Sequence, residues 1–345
     1  GEDVYELDFS KLTTRGDYFI VVPGVGRSYG FRIAGDVYSE PFYHCARAIL
    51  HQRCGIELKE PYTKFTREAC HRSPGIEIKA TIVEHGSEDQ DKLVRDDPTV
   101  KTDRRVNAWG GYHDAADFDR LVGHYRIPAS LLTLYEMFPA AFSDGQLDLP
   151  ESGNGIPDIV DEALWQVDFG VRMQDESDGG VRGGAGPNAV VTAPPDRDTN
   201  PIYLYGKDPV TSLSLAGVAA QAARVLNDLG EDERAATYLA RAEKAWTYAG
   251  THGGEEFPIP YAFAALELFR ATGEPAYHEA FLARADAIAE LDALAQARHM
   301  SLFVWNVWMS YALCEQEGAD EGVRQAFRRR VVAAAEKEVE NIESF

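Results

Sequence analysis

No run of eighteen apolar residues occurs in the 345-residue sequence, so no membrane-spanning helix is expected. The chain opens Gly1-Glu2-Asp3-Val4, without the basic and apolar regions of a signal peptide; a processed or trimmed chain begins the same way. Basic residues are scarce. Against 56 Asp and Glu there are 34 Lys and Arg, giving a formal net charge of -22 and a pI near 4.8. That balance argues against nucleic acid or an anionic membrane as partner, and it fits a solvated acidic surface, a salty habitat or a cationic substrate. Cysteine is rare too. Cys45, Cys54, Cys70 and Cys314 are too few for a disulfide framework in a chain of this size, and Cys45 and Cys314, in apolar helical patterns, are expected as buried thiols. No Gly-x-Ser-x-Gly elbow is present, and no glycine-rich phosphate loop follows a strand. What remains is 45% hydrophobic, enough for a full core, with nine His and sixteen each of Tyr and Phe as material for metal and sugar sites.

The chain changes character near residue 38. Before it, Tyr5-Glu6-Leu7-Asp8-Phe9, Tyr18-Phe19-Ile20-Val21-Val22 and Ser28-Tyr29-Gly30-Phe31-Arg32-Ile33 read as strands separated by Gly/Pro turns. They are too few to bury two faces, and read as the end of a β-sandwich. Pro41 to Leu50 then reads as a helix, and 55–108 as loop, including a charged excursion from Glu84 to Arg95. From about 122 the pattern is helix after helix, over 122–138, 156–174, 209–228, 232–249, 260–272, 275–290, 301–317 and 320–342. Residues 183–206 form the longest irregular stretch of this half.

Three constellations carry chemistry. In Gly110-Gly111-Tyr112-His113-Asp114-Ala115-Ala116-Asp117, two carboxylates three residues apart can share one water, as general base catalysis of hydrolysis requires. The glycines would let backbone approach a bulky ligand, and Trp109 and Tyr112 could offer faces to sugar rings. The plainer alternative is a polar helix start capped by Asp. Second, Cys54, Cys70, His71 and His113 make a tetrahedral zinc set, whose role would be structural; the alternative is a Cys54–Cys70 disulfide beside ordinary histidines. The nearness of His113 to the acidic pair favours metal. Third, Glu151, Asn154, Asp158, Asp161 and Glu162 are oxygen ligands of the kind calcium takes, although their spacing is not that of an EF-hand and a helix cap with dipole-favourable acids explains them as well. Trp305 and Trp308, at helical spacing, are expected in the core.

Together these motifs resemble glycoside hydrolase family 9, inverting β-glycanases that include many endoglucanases. The 110–117 run is similar to the family's Gly-Gly-Trp-x-Asp-Ala-Gly-Asp signature, Pro150 to Glu162 to its Pro-Glu-Ser-Gly-Asn-Gly-Ile-Pro-Asp-Ile-Leu-Asp-Glu run, and Met173-Gln174 with Asp178-Gly179-Gly180 also matches. Gln52-Arg53-Cys54-Gly55 and Cys70-His71 resemble the zinc-bearing branch with an N-terminal immunoglobulin-like module, whose last strands would be residues 1–38. The resemblance implies a mainly α fold, an (α/α)6 barrel over 39–345. It implies Asp117 as general base, Asp114 as its helper in activating water, and structural zinc on Cys54, Cys70, His71 and His113. The substrate would be a β-linked polysaccharide or oligosaccharide, and the setting secreted or periplasmic. Three departures bear on this. Ala116 stands where the family usually has Gly. Asp119-Arg120 replaces the Lys-Tyr or Lys-Phe common in cellulases, which makes Asp119 a candidate ligand for an amino sugar and an exo-β-glucosaminidase an alternative. The motif of the family's general-acid Glu is missing: Glu255, Glu256 and the acids of 336–343 do not sit in it, the helices fall short of a full barrel, and a fragment is expected. A non-catalytic glycan-binding protein is the further alternative.

Overall fold

In a computed structural model, which describes residues 5–72, 75–78, 100–106, 109–113, 120–187, 193–200, 202–291 and 303–343, the chain divides into two compact units, 1–48 and 49–345. The division falls inside a helix, α1 (Ser39–Gln52), rather than at residue 38. The first unit has four short strands: β1 (Gly16–Tyr18), β2 (Val21–Val22), β3 (Gly26–Arg27) and β4 (Phe31–Ile33). They form two antiparallel pairs, β1 with β4 and β2 with β3, and Phe31 packs between the rings of Phe9 and Tyr18 at 5.2 and 6.1 Å. The alternating stretch 5–9 is not a strand: Asp8 Oδ1 accepts the Ser10 amide and the Leu12 amide bonds to the Phe9 carbonyl, so this backbone closes into a turn. Cys45 is exposed, because Ala46 and Leu50, not Cys45, carry the buried side of α1; Cys314 is buried as expected.

The second unit is helical. Its helices are α2 (Arg126–Met137), α3 (Asp158–Met173), α4 (Pro209–Asp228), α5 (Asp232–Thr251), α6 (Pro258–Thr272), α7 (Pro275–Ala289), α8 (Val304–Ala312) and α9 (Glu321–Glu343). Inner and outer helices are told apart by their apolar pattern. In α4 sixteen of twenty residues are buried, and in α6 the nine from Tyr261 to Phe269 are buried without interruption. Between them α5 buries Ala235, Tyr238, Ala242, Ala245 and Ala249, one stripe at alternating steps of three and four, and α7 does the same with His278, Phe281, Ala285 and Ile288. Over α4–α7, inner helices thus alternate with outer ones. Small residues set the spacing: a Cβ at Gly217 of α4 would lie 2.4 Å from the Phe263 ring of α6. Helix α4 starts sharply because Asp208, extended at φ -142°, accepts the Thr211 amide at 2.8 Å, with Pro209 in the first turn. Asp208→Ala is expected to cost about 1 kcal/mol, read as a lower midpoint in urea unfolding.

One largely buried polar system joins α2, α4 and α6. Arg224 Nη2 lies 2.8 Å from both Glu136 and Glu267, and Arg270 reaches Glu136 at 3.1 Å and Glu267 at 3.4 Å. Helix α8 is shorter than the 301–317 expected. Arg328 donates to the Ala312 carbonyl and Arg324 to the Cys314 carbonyl, so side chains of α9 take the acceptors that a further turn would use. Among the described residues, no helix is long and apolar enough to cross a membrane.

Strands also occur where loop or irregular chain was expected, β5 (Gly75–Ile78), β6 (Val100–Val106), β8 (Gly184–Pro187) and β9 (Ile202–Leu204), and a further short strand, β7 (Arg120–Leu121), precedes α2. They form one sheet in the order β6-β5-β9-β8-β7, parallel at β5–β9 and antiparallel elsewhere. Two of its pairings, β5 with β9 and β7 with β8, join parts of the chain more than 60 positions apart, which no local pattern announces. The charged run Glu84 to Arg95 lies outside the described residues.

Candidate functional site

Residues 109–113 form a strap laid along the end of α1. The Cys54 amide donates to the Gly111 carbonyl at 2.8 Å and the His113 amide to the Gln52 carbonyl at 2.7 Å, an antiparallel bridge of Arg53 with Tyr112. Helix α3 holds the other side. Trp165 Nε1 donates to the Gly111 carbonyl at 2.8 Å, and Arg172 Nε donates to the Trp109 carbonyl at 2.9 Å. Gly110 and Gly111 stand at φ +107° and +75°, and a Cβ on them would meet Arg172 Nη2 at 2.5 Å and the Phe169 ring at 3.0 Å. The glycines therefore admit this protein's own side chains, not the close approach of a ligand. Beyond the strap, β7 pairs with β8. The segment 114–119, with Asp114, Asp117 and Asp119, lies outside the described residues; it runs between this strap and β7.

Under the strap is a buried charge cluster. Arg53, with its side chain 1% exposed, lies 2.8 Å from Glu151 and 3.1 Å from Glu162, and its guanidinium sits 4.7 Å from the centre of the Trp165 ring. Burial pulls the Arg53 pKa down, but Glu162 and Glu151 outweigh it and the net direction is up. The Tyr112 hydroxyl donates to Glu162 Oε1 at 2.8 Å. Burial first, then the Glu162 charge, pushes the Tyr112 pKa well up, so it stays a neutral donor.

The four metal-ligand candidates converge beside the strap. The Cys54, Cys70, His71 and His113 donor atoms all lie within 4.8 Å of one another. Cys54 Sγ is 3.5 Å from His71 Nδ1, and Cys70 Sγ is 3.3 Å from His113 Nε2. A tetrahedral zinc ion with Zn–S near 2.3 Å and Zn–N near 2.0–2.1 Å sets its ligand atoms about 3.3–3.8 Å apart, which these separations match. Both cysteines are free thiols, so the disulfide alternative falls. The Cys70 pKa is drawn down, above all by hydrogen bonding with Cys54 and then by His113, His71 and the Gly55 amide; burial draws the His113 pKa down. Thiolate and neutral imidazole are the ligating forms.

Residues 38–343 match the sequence profile of glycosyl hydrolase family 9. The chain belongs to this family. A cellulose 1,4-β-cellobiosidase of Acetivibrio thermocellus is 28% identical over 317 residues, 79% of this chain and 35% of that protein. A xyloglucan-specific endo-β-1,4-glucanase of Bacteroides ovatus is 24% identical over 339 residues, 87% of this chain and 53% of that protein. The crystal structure of a metagenome-derived family 9 endoglucanase superposes with a TM-score of 0.74 at 29% identity, over 95% of this chain and 59% of that one. The chain thus spans between about a third and about a half of the length of these curated relatives. The alternating inner and outer helices are part of the family's (α/α)6 barrel.

Against this family 9 frame, two of the sequence expectations change. Tyr112 is 1% exposed, bonded to Glu162 and packed on the strap, and so cannot stack on a sugar. The calcium set does not form a cage. Glu151 and Glu162 are taken by Arg53; Asp158 accepts from the Gly145 and Leu147 amides and the Ser152 hydroxyl; Asn154 Nδ2 donates to Asp161. Asp158 closes the 144–158 loop, and Asp158 and Asp161 lie in the first turn of α3, where the helix dipole favours acids, although its N-cap is Pro157 and no side chain caps it. Trp109 is half-buried and engaged by protein, with Arg172 4.2 Å and Arg72 5.5 Å from its ring centre and Trp165 at 5.8 Å. Trp308 is buried, as expected of a core residue, while Trp305 is 38% exposed. Sequence reasoning missed Trp165, Arg172 and the bridging role of Arg53, all of which hold the strap by contacts with residues remote in sequence.

Proposed function

We propose that this chain carries the water-activating side of an inverting β-1,4-glucan hydrolase. Asp117 is the general base, and Asp114 orients the water and helps activate it. The observation that supports this most is the family match across 38–343, which takes in the Asp114–Asp117 motif. In the proposed reaction Asp117 takes a proton from water as its oxygen attacks the anomeric carbon. The glycosidic oxygen leaves with a proton from a carboxylic acid on the opposite face. Inversion needs that acid and Asp117 roughly 6.5–9.5 Å apart, leaving room for the water. No residue of this chain is assigned as the acid.

The strap supports the role of Asp117 by fixing the backbone up to His113. Zinc is the proposed occupant of Cys54, Cys70, His71 and His113, since two thiolates and two imidazoles in a closed tetrahedral set suit it. When bound it supplies a structural cross-link between the end of α1, the Cys70-His71 loop and the strap. The β-strands of the first unit are read as the closing strands of an immunoglobulin-like module, and a polymeric substrate implies a secreted or periplasmic setting. Asp119 favours a second reading, hydrolysis of glucosamine oligomers, with this carboxylate binding the substrate ammonium.

The test is reducing-sugar release from cellulosic, xyloglucan and chitosan oligosaccharides by this chain and by the full-length gene product. Release from a β-glucan is expected of the full-length gene product. A preference for chitosan oligosaccharides would replace the substrate with the amino sugar. Sugar binding without turnover in either protein would overturn the hydrolase reading.

A further inference from the structure

The geometry points to Asp198 as the positioning residue that holds His71 in its metal-binding orientation, which makes Asp198 and its partner Asn200 part of the metal site. The inference rests on the metal reading above and extends it to a residue 127 positions from the ligand it serves. The two nitrogens of the His71 ring face different ways. Nδ1 lies 3.5 Å from Cys54 Sγ, inside the ligand cluster, and Nε2 lies 3.3 Å from Asp198 Oδ2. Both side chains are nearly closed to solvent, at 3% and 1% exposure. A carboxylate buried to that degree needs a defined set of donors. The far oxygen of Asp198 has its own: Oδ1 accepts the Asn200 amide at 3.0 Å and Asn200 Nδ2 at 2.6 Å. The carboxylate is clamped from behind and presents Oδ2 to the imidazole.

Two consequences follow from that arrangement. A carboxylate facing Nε2 selects the tautomer with hydrogen on Nε2, which leaves the Nδ1 lone pair for a metal ion. It also fixes the rotation of the ring. The backbone adds a second constraint, because His71 adopts φ +43°, in the left-handed region, a conformation that persists where the surroundings over-determine it. Asp198 lies between β8 and β9, whereas the four ligands come from the end of α1, the 70–71 loop and the strap. Metal bound by His71 is therefore linked, through one carboxylate, to the order of residues 193–200.

The experiment uses the full chain loaded with one equivalent of zinc. Affinity is read by competition with a chromophoric chelator, and hydrogen exchange is followed by mass spectrometry with and without chelator. Asp198→Asn is expected to weaken zinc binding by about 10–100-fold, the usual loss for a carboxylate behind a ligating histidine. Asn200→Ala, which leaves the carboxylate in place but unclamped, is expected to weaken it less. In the unaltered protein, stripping zinc is expected to speed exchange of the amides of 193–200, a readout that does not require any variant to fold. If Cys54→Ser abolishes binding while Asp198→Asn binds as the unaltered protein does, Asp198 has no such role. Unchanged exchange at 193–200 on stripping zinc overturns it equally. An unaltered protein that takes up no zinc removes the metal reading itself, a result distinct from the other two.

Discussion

Replacing Asp117 with Asn in the full-length gene product is expected to lower kcat on the preferred β-glycan by about 10²–10⁴-fold while KM stays within a few-fold of the original, because a general base acts on the transition state and adds little to ground-state binding. Asn keeps the shape and a hydrogen-bonding oxygen, so the loss isolates proton abstraction from packing. Asp114→Asn should cost less if Asp114 only orients the water. Asp119→Asn should leave kcat on β-glucans unaltered and raise KM only on glucosamine oligomers. Product stereochemistry, followed by proton NMR in the first minutes of reaction, should show the inverted anomer. An Asp117→Asn protein with undiminished kcat would remove the base from this position; a retained anomer would remove the single-displacement mechanism. The prediction depends on a backbone delivered to residue 113 by bonds to the Gln52 carbonyl and Cys54 amide, and by Trp165 on the Gly111 carbonyl. A variant that damages the fold is distinguished by its unfolding midpoint.

What could be read in advance followed from periodicity and local motif. The helices over 209–228 and 275–290 were readable because their burial repeats along a single element, continuously for an inner helix and in a stripe for an outer one. The four candidate metal ligands were readable because thiol and imidazole are rare, and their donor atoms do converge within 4.8 Å. The strands at 75–78, 100–106 and 202–204 were not, since the first and last are short and the sheet is joined by the pairing of 75–78 with 202–204, more than 120 positions apart. Gly110 and Gly111 were correctly singled out but for a different reason: Arg172 and Phe169 occupy the space their missing side chains leave. Tyr112 stood in an attractive position for sugar stacking, and only the three-dimensional course of α3 shows that it is buried on Glu162. Pairing between remote residues, such as Arg53 with Glu162 or His71 with Asp198, has no signature in a single sequence.

Glu162→Gln is expected to destabilise the protein by about 3–5 kcal/mol, the cost of leaving a buried charge without its partner. Arg53 and Glu162 have side chains only 1% and 2% exposed, whereas the other carboxylate on Arg53, that of Glu151, is 34% exposed. Glu162 is therefore the partner that compensates the guanidinium where water cannot. Gln can still accept from Arg53 Nε and from the Tyr112 hydroxyl through one oxygen, but its amide nitrogen then faces Arg53 Nη2, a donor, where Glu162 Oε2 stood at 3.1 Å, so the experiment reads the lost charge together with that lost contact. Glu151→Gln, at the more solvated position, should cost well under half as much. Arg53→Met in the Glu162→Gln background should cost less than it does alone, because the charge it leaves uncompensated is already gone; a coupling above about 1 kcal/mol is expected for side chains in direct contact. Urea unfolding of the unaltered protein and the four variants gives all these values. A Glu162→Gln protein within about 0.5 kcal/mol of the original would show that water or Glu151 compensates Arg53 and that the cluster is not what holds the strap. The consequence reaches the site by a short route, since Arg53 precedes Cys54, bridges Tyr112 on the strap and stacks on Trp165, whose indole holds the Gly111 carbonyl. Loss of this one carboxylate is therefore expected to loosen a metal ligand and the approach to Asp117 together, and zinc affinity and kcat should fall in parallel with stability across the series.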